Sequence, residues 1–266
     1  MGRWIFAIIA LLAASAATAA PRPGHETGFL DRSVVIDGVE YRYEVYVPRN
    51  FDSRKTWPVI LTLHGGGDYG DDGIRATVST LADSIRLHPE RFPAIIVFAQ
   101  AHADGTPGWQ RQGGQAALKE VDVAVAEFNG DPARIYLTGA SAGGNGAWFL
   151  ASRHPGKFAA LLVVCGFVSD FTGKESHLFY PSLGGPGPDR YLKIARAVAK
   201  IPIWIVHGDA DQNVSVEESR RMTAELKALG ADVRYTELAG ADHSGAWRFA
   251  YAEPAIAEWL MAQRRR

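Results

Sequence analysis

The stretch Arg134-Ile-Tyr-Leu-Thr-Gly139-Ala-Ser141-Ala-Gly143-Gly-Asn-Gly-Ala-Trp-Phe-Leu restricts the possible folds more than any other part of the chain. Ile135 to Thr138, a short run of apolar, β-branched and aromatic residues, reads as a strand. It meets Gly-x-Ser-x-Gly, and a helix-like segment continues to about His154. Strand, sharp turn and helix in this order are the context of a nucleophile elbow. Such a turn holds Ser141 in a strained conformation, its hydroxyl raised above the sheet edge. Side chains two residues to either side would collide, which accounts for Gly139 and Gly143. The Ala142 NH, opening the helix, would point to where an oxyanion forms. Alone, the pentapeptide fits a glycine-rich loop with an incidental serine equally well. The rest of the chain has to supply its partners.

Ser33 to Ile36, Asp37-Gly38 and Val39 to Val47 read as a β-hairpin. Its second arm alternates apolar and charged residues, as an antiparallel edge with one wet face does. Trp57 to Leu63 is more continuously apolar and runs into His64-Gly-Gly-Gly67. A helix (about Gly73 to His88), a strand (Ala94 to Phe98) and a helix (about Gln115 to Phe128) precede the elbow. A strand holding Cys165, a helix (Tyr191 to Lys200) and a strand (Pro202 to Val206) follow it. Ser215-Val-Glu-Glu218 reads as a capping box opening the next helix. A strand (Asp232 to Glu237) and one long helix (Ala246 to Ala262) close the pattern. Strands alternating with helices after an antiparallel start predict an α/β fold: a mostly parallel sheet of about eight strands covered on both faces.

The chain has 266 residues, enough for one large α/β domain, and its formal charge is −1. No basic field offers itself to nucleic acid. At the start, Arg3, the apolar run Trp4 to Ala14 and Ala17-Thr18-Ala19 read as an export signal, residues 1–19. That run is too short for a stable membrane anchor. Residues 20–32 read as a linker and 33–266 as the catalytic domain, exported to the periplasm or the medium and expected to be a monomer. Cys165, the single cysteine, reads as a buried strand residue.

A serine nucleophile needs a base and a group to orient it. His207-Gly-Asp209-Ala-Asp211 follows one late strand and Gly240-Ala-Asp242-His243 the next. Both therefore sit at strand C-termini, on the sheet edge that carries Ser141 and where α/β proteins bind ligands. Either Asp209 or Asp211 could orient His243. Asp242, adjacent to it, is expected at the surface, and His207 is expected to brace the acid loop.

Gly-x-Ser-x-Gly-Gly, His-Gly-x-x-Asp-x-x-Val and the late Gly-x-x-His resemble the α/β-hydrolase superfamily. More narrowly, Arg134 to Gly166 and Ile203 to Trp247 resemble exported single-domain hydrolases related to the prolyl oligopeptidase catalytic domain, beside polyhydroxybutyrate depolymerase-like and feruloyl esterase-like carboxylesterases. The resemblance implies Ser141 as nucleophile, His243 as general base and then acid, and Asp211, by the family spacing, as orienter. It implies an oxyanion hole from the NH groups of Gly66 (or Gly67) and Ala142. It also implies a carboxylic ester, of a small molecule or a polymer, as substrate. A peptidase of the prolyl oligopeptidase type is the rival; those relatives gate the triad with a propeller for which no segment here has room. A noncatalytic binding module is the third reading.

Trp109 is expected either to wall the pocket or to pack on the surface as a loop tryptophan, and Phe167 to help form a wall or short lid with residues up to Tyr180. His243 is expected to titrate in the ordinary histidine range, about 6 to 7. Gly65-x-Gly-x-x-Gly70 spells a dinucleotide fingerprint, yet the next strand ends Phe98-Ala99-Gln100 instead of on an acid, and Asp68, Asp71 and Asp72 would repel a pyrophosphate. No cofactor is expected, nor a metal, since no metal-ligand spacing occurs.

Overall fold

The computed structural model describes residues 26–78, 81–102, 108–173 and 178–265. The export-signal reading lies outside them, as do parts of the linker and of the segment expected as a lid.

The Asp37-Gly38 turn joins β1 (Gly28–Ile36) to β2 (Val39–Val47). Asp37 and Gly38 both take positive φ, as a two-residue hairpin turn requires. β1 starts inside the segment read as a linker; its alternate residues are half-exposed, so its apolar signal is weak. Next come β3 (Trp57–Leu63), β4 (Ile95–Ala99), β5 (Gly130–Ala140) and β6 (Ala160–Val164). A two-residue pair, β7 (Phe171–Thr172) with β8 (Phe179–Tyr180), stands apart, and β9 (Ile203–Gly208) and β10 (Val233–Leu238) complete the set.

The main sheet has eight strands in the order β1-β2-β4-β3-β5-β6-β9-β10. β1 and β2 are antiparallel to their neighbours, and the six strands from β4 to β10 run parallel. This is the α/β architecture expected. The central strands read as unbroken apolar runs because both faces are covered. Val59, Leu61 and Leu63 of β3 join one core, Ile60 the other.

Helices α2 (Gln112–Glu127), α3 (Ala142–Arg153), α4 (Arg190–Val198) and α5 (Glu217–Ala228) cover the first face. Helices α1 (Leu81–Leu87), α6 (His243–Ala252) and α7 (Pro254–Ala262) cover the second. Three expectations about helices need correction. The segment expected as one helix from Gly73 to His88 contains a 3-10 turn at Arg75–Thr77 before α1. The expected closing helix is two, because proline cannot continue a helix and biases the residue before it toward extended backbone; Glu253 obeys, with ψ 114°. The capping box is not made: Ser215 Oγ accepts the Glu217 NH, and Glu218 turns elsewhere.

β4 and β5 lie on opposite sides of β3, so the strand order reverses there, and the loops after β3, β5, β9 and β10 share the carboxyl edge of the parallel strands.

Candidate active site

Ser141 links β5 to α3 with φ 58° and ψ −117°, a backbone conformation few non-glycine residues adopt. The adjacent glycines explain how it is tolerated. A Cβ on Gly139 would overlap the Gly143 carbonyl, and one on Gly143 would overlap the Leu63 carbonyl of β3. The strain is held by the Ser141 NH, which donates to Val164 O at 2.9 Å, and by Asn145, whose NH donates to Ser141 O at 3.0 Å.

On the loops after β9 and β10, the His243 Nδ1–H donates to Asp211 Oδ2 at 2.6 Å. Asp211 has a buried side chain. Burial pushes its pKa up, but hydrogen bonds from His207 and His243 and the NH of Val214 outweigh this and hold it below the usual carboxylate range. His207 has only acceptors, Val214 O (3.1 Å) and Asp211 (3.2 Å), around Nε2, so that nitrogen carries the proton. Its Nδ1 accepts from Ser219 Oγ at 2.7 Å. The imidazole thus braces the acid loop, as expected. Asp209 instead accepts the Gly240 NH at 2.6 Å and ties the two loops together. Asp242 caps α6 by accepting the Gly245 NH at 2.7 Å.

Burial pulls the His243 pKa down, while the hydrogen bond to Asp211 and the contact with Cys165 push it up; the net is a rise above the ordinary histidine value. This moves it above the range read from sequence. Cys165 is buried, as expected, but its neighbourhood was not foreseen. It takes φ 38° at the end of β6. Its sulfur, a ring nitrogen of His243 and an oxygen of Asp211 lie within 4.8 Å of one another. A cation held there would compete with the Asp211–His243 hydrogen bond.

Ser141 and His243 line the same open pocket of about 520 Å³, with Gly66, Gly67 and Ala142. No hydrogen bond joins the Ser141 hydroxyl to the ring; such contacts are often loose in free enzymes and tighten on substrate. Ala142 is the first residue of α3, so its NH has no acceptor within the helix.

The glycine loop is held from behind by His64. Burial lowers the pKa of this histidine to about 4, so it is neutral. Its Nδ1 pairs with Gly65 O (2.7 Å) and its Nε2 accepts the Ala101 NH (3.0 Å).

Trp109 does not wall this pocket. It is 1% exposed, its Nε1–H donates to His64 O at 3.2 Å, and its indole lies where a Cβ on Gly146 would fall. Nor does it pack on the surface: the indole is buried beneath the glycine loop. Phe167 is also 1% exposed and sits behind Phe171, with ring centroids 4.4 Å apart. The pocket wall is made by Phe171, Tyr180 and Trp247. Periodicity could not distinguish Trp109, Phe167, Phe171 and Tyr180, which lie in or beside loops, and Trp247 is on α6.

Sequence reasoning also missed Glu218. Its buried carboxylate accepts the NH groups of Val168 (2.8 Å) and Ser169 (3.2 Å), the Tyr191 hydroxyl (2.9 Å) and the Ser169 hydroxyl. Asn145 Nδ2 donates to Phe167 O at 3.0 Å from the other side. Together they fix the root of the segment that carries Phe171.

This fold, with a strained serine, a histidine and an aspartate at one carboxyl edge, is that of the α/β-hydrolase class. A structure of a thermostable esterase superposes with a TM-score of 0.74 at 26% identity, covering 89% of this chain and 63% of that one. The model of the prolyl oligopeptidase family matches residues 102–262, and the chain belongs to that family. Dipeptidyl-peptidase 5 of Porphyromonas gingivalis is 27% identical over 230 residues, 74% of this chain and 32% of the relative. An uncharacterized secreted protein of Arthroderma benhamiae is 26% identical over 212 residues, 73% of this chain and 22% of the relative. The chain thus spans a third or less of the length of these two relatives.

Proposed function

We propose that this protein hydrolyses carboxylic esters through an acyl-enzyme on Ser141. The Ser141 oxygen attacks the ester carbonyl while its proton passes to His243, whose protonated ring Asp211 stabilises and orients. The NH groups of Gly66 and Ala142 take the oxyanion. His243 then returns the proton to the departing alcohol, and water repeats the sequence on the acyl-enzyme. The observation that carries this reading is the Asp211–His243 pair, at 2.6 Å, beside a strained Ser141 in one pocket.

Ester over amide is supported by the open aromatic pocket formed by Phe171, Tyr180 and Trp247, which suits a compact acyl or aryl group. The likeness to a thermostable esterase points the same way. The peptidase reading has its own support in the family and in the similarity to a dipeptidyl-peptidase. Export is supported by the N-terminal pattern and by the similarity to a secreted protein.

A paired panel of 4-nitrophenyl esters, feruloyl and acetyl esters, and prolyl or alanyl 4-nitroanilides tests the choice. Short-chain or aryl esters are expected to exceed matched amides in kcat/KM by about a hundredfold or more. A 4-nitroanilide that matches the best ester makes the protein a peptidase. In the same assay Ser141→Ala is expected to fold normally and to lose several orders of magnitude in turnover.

A further inference from the structure

Asp68 follows the glycine loop and lines the pocket with Ser141. It is half-buried, and burial raises its pKa although Arg75 lowers it. Among the described residues its carboxylate accepts no hydrogen bond and makes no ion pair; its backbone carbonyl accepts from Gln100 Nε2 at 3.2 Å and its NH donates to Gly65 O at 3.3 Å. Arg75 points a guanidinium at the Tyr69 carbonyl instead, at 3.3 Å. A carboxylate partly withdrawn from water without a partner is costly. It is also poorly placed for the proposed chemistry, because the transition state puts a second negative charge on the neighbouring oxyanion.

The rest of the pocket does not offset it. No lysine or arginine is among the described lining residues; the charge of His243 is met by its hydrogen bond to Asp211, and Asp242 is spent on capping α6. What Asp68 lacks, a ligand can bring.

Resting on the proposed hydrolytic site, we propose that Asp68 is a specificity residue that binds a protonated amine carried by the substrate, so that the pocket favours cationic over neutral and neutral over anionic groups. The ammonium would donate charge-assisted hydrogen bonds to the carboxylate and shield it from the developing oxyanion.

Binding measured without turnover keeps this separate from the esterase reading. Benzylammonium, benzyl alcohol and benzoate are titrated calorimetrically into the purified protein and into Asp68→Asn, whose folding is checked by circular dichroism. Benzylammonium is expected to bind about tenfold more tightly than benzyl alcohol, with benzoate weakest, as suits a half-buried charge pair. Asp68→Asn is expected to remove the benzylammonium advantage. In the ester panel, the kcat/KM ratio of (aminomethyl)benzoyl to methylbenzoyl esters should fall about tenfold in that variant. Equal binding of all three ligands, or a benzylammonium preference that survives Asp68→Asn, overturns the proposal whatever substrate class the panel reveals. Loss of ester hydrolysis in the panel with the binding preference intact overturns the esterase reading alone.

Discussion

Glu120 offers the sharpest quantitative test of the structure. It lies on α2 with 0% exposure, and among the described residues neither carboxyl oxygen has a hydrogen-bond partner. The nearby Tyr43 hydroxyl is buried and unpartnered too. Burial raises the Glu120 pKa well above the ordinary glutamate value of 4.5. The folded protein therefore keeps Glu120 protonated at a pH where the unfolded chain has released the proton. Below 4.5 both states hold it and no pH-dependent penalty arises. Above 4.5 the unfolded state gains from ionising, so folding stability falls by about 1.4 kcal/mol per pH unit until the folded pKa is reached. Glu120→Met conserves the unbranched shape and removes both the ionisation and the unsatisfied polar atoms. It should gain on the parent by up to about 1.4 kcal/mol for each pH unit between 4.5 and the folded pKa, less any repacking cost of up to about 1.5 kcal/mol, and the advantage should shrink steadily toward pH 5. Urea unfolding followed by circular dichroism at pH 5, 6 and 7 measures this. Glu120→Gln should abolish the same pH slope while keeping the unsatisfied amide. A stability difference between Glu120→Met and the parent that stays flat from pH 5 to 7 would show that Glu120 has a partner in solution or is not buried.

Three further outcomes follow from the site. Asp211→Asn should cost about 10⁴ in kcat, because an amide no longer fixes the His243 tautomer, whereas Asp209→Asn loosens a turn and should cost far less; equal losses would put the wrong carboxylate behind His243. Because His243 is raised and must be neutral to act as base, activity should fall as pH drops through a value above the ordinary histidine range, and Asp211→Asn should move that limb downward. A kcat/KM profile already flat at pH 6 contradicts this. Trp109→Ala should destabilise the fold by about 3 to 5 kcal/mol and lower kcat, since it removes a buried ring beneath the glycine loop; an effect confined to KM, with stability unchanged, would restore it to the pocket wall.

The extent of the fold legible in sequence follows from what is local. Gly139 is needed by a clash within the turn itself, against the Gly143 carbonyl, so that half of the elbow could be read locally, whereas Gly143 is needed because β3 brings the Leu63 carbonyl against it. The unbroken apolar runs of β3, β4 and β6 require cover on both faces, which makes helices on both sides the economical solution. The order of serine, acid and histidine at successive strand ends placed them on one edge because parallel strands share a carboxyl end. Even the break at Pro254 was written locally, in a residue that ends helices.

Tertiary structure decided the rest. Trp109 and Phe171 both stand near chain turns, and nothing in either stretch says which ring meets solvent. That depends on Gly146 leaving room for an indole and on Asn145 and Glu218 pulling Phe167 and its neighbours inward from helices distant in sequence. Cys165 reads as one more apolar strand residue until α6 brings His243 against it. Glu218 has the spacing of a capping residue, yet the NH groups of Val168 and Ser169 and two hydroxyls outcompete a single helix-end donor. In each case the outcome turns on which groups from remote elements converge to satisfy a buried side chain, and the sequence nearby carries no record of that convergence.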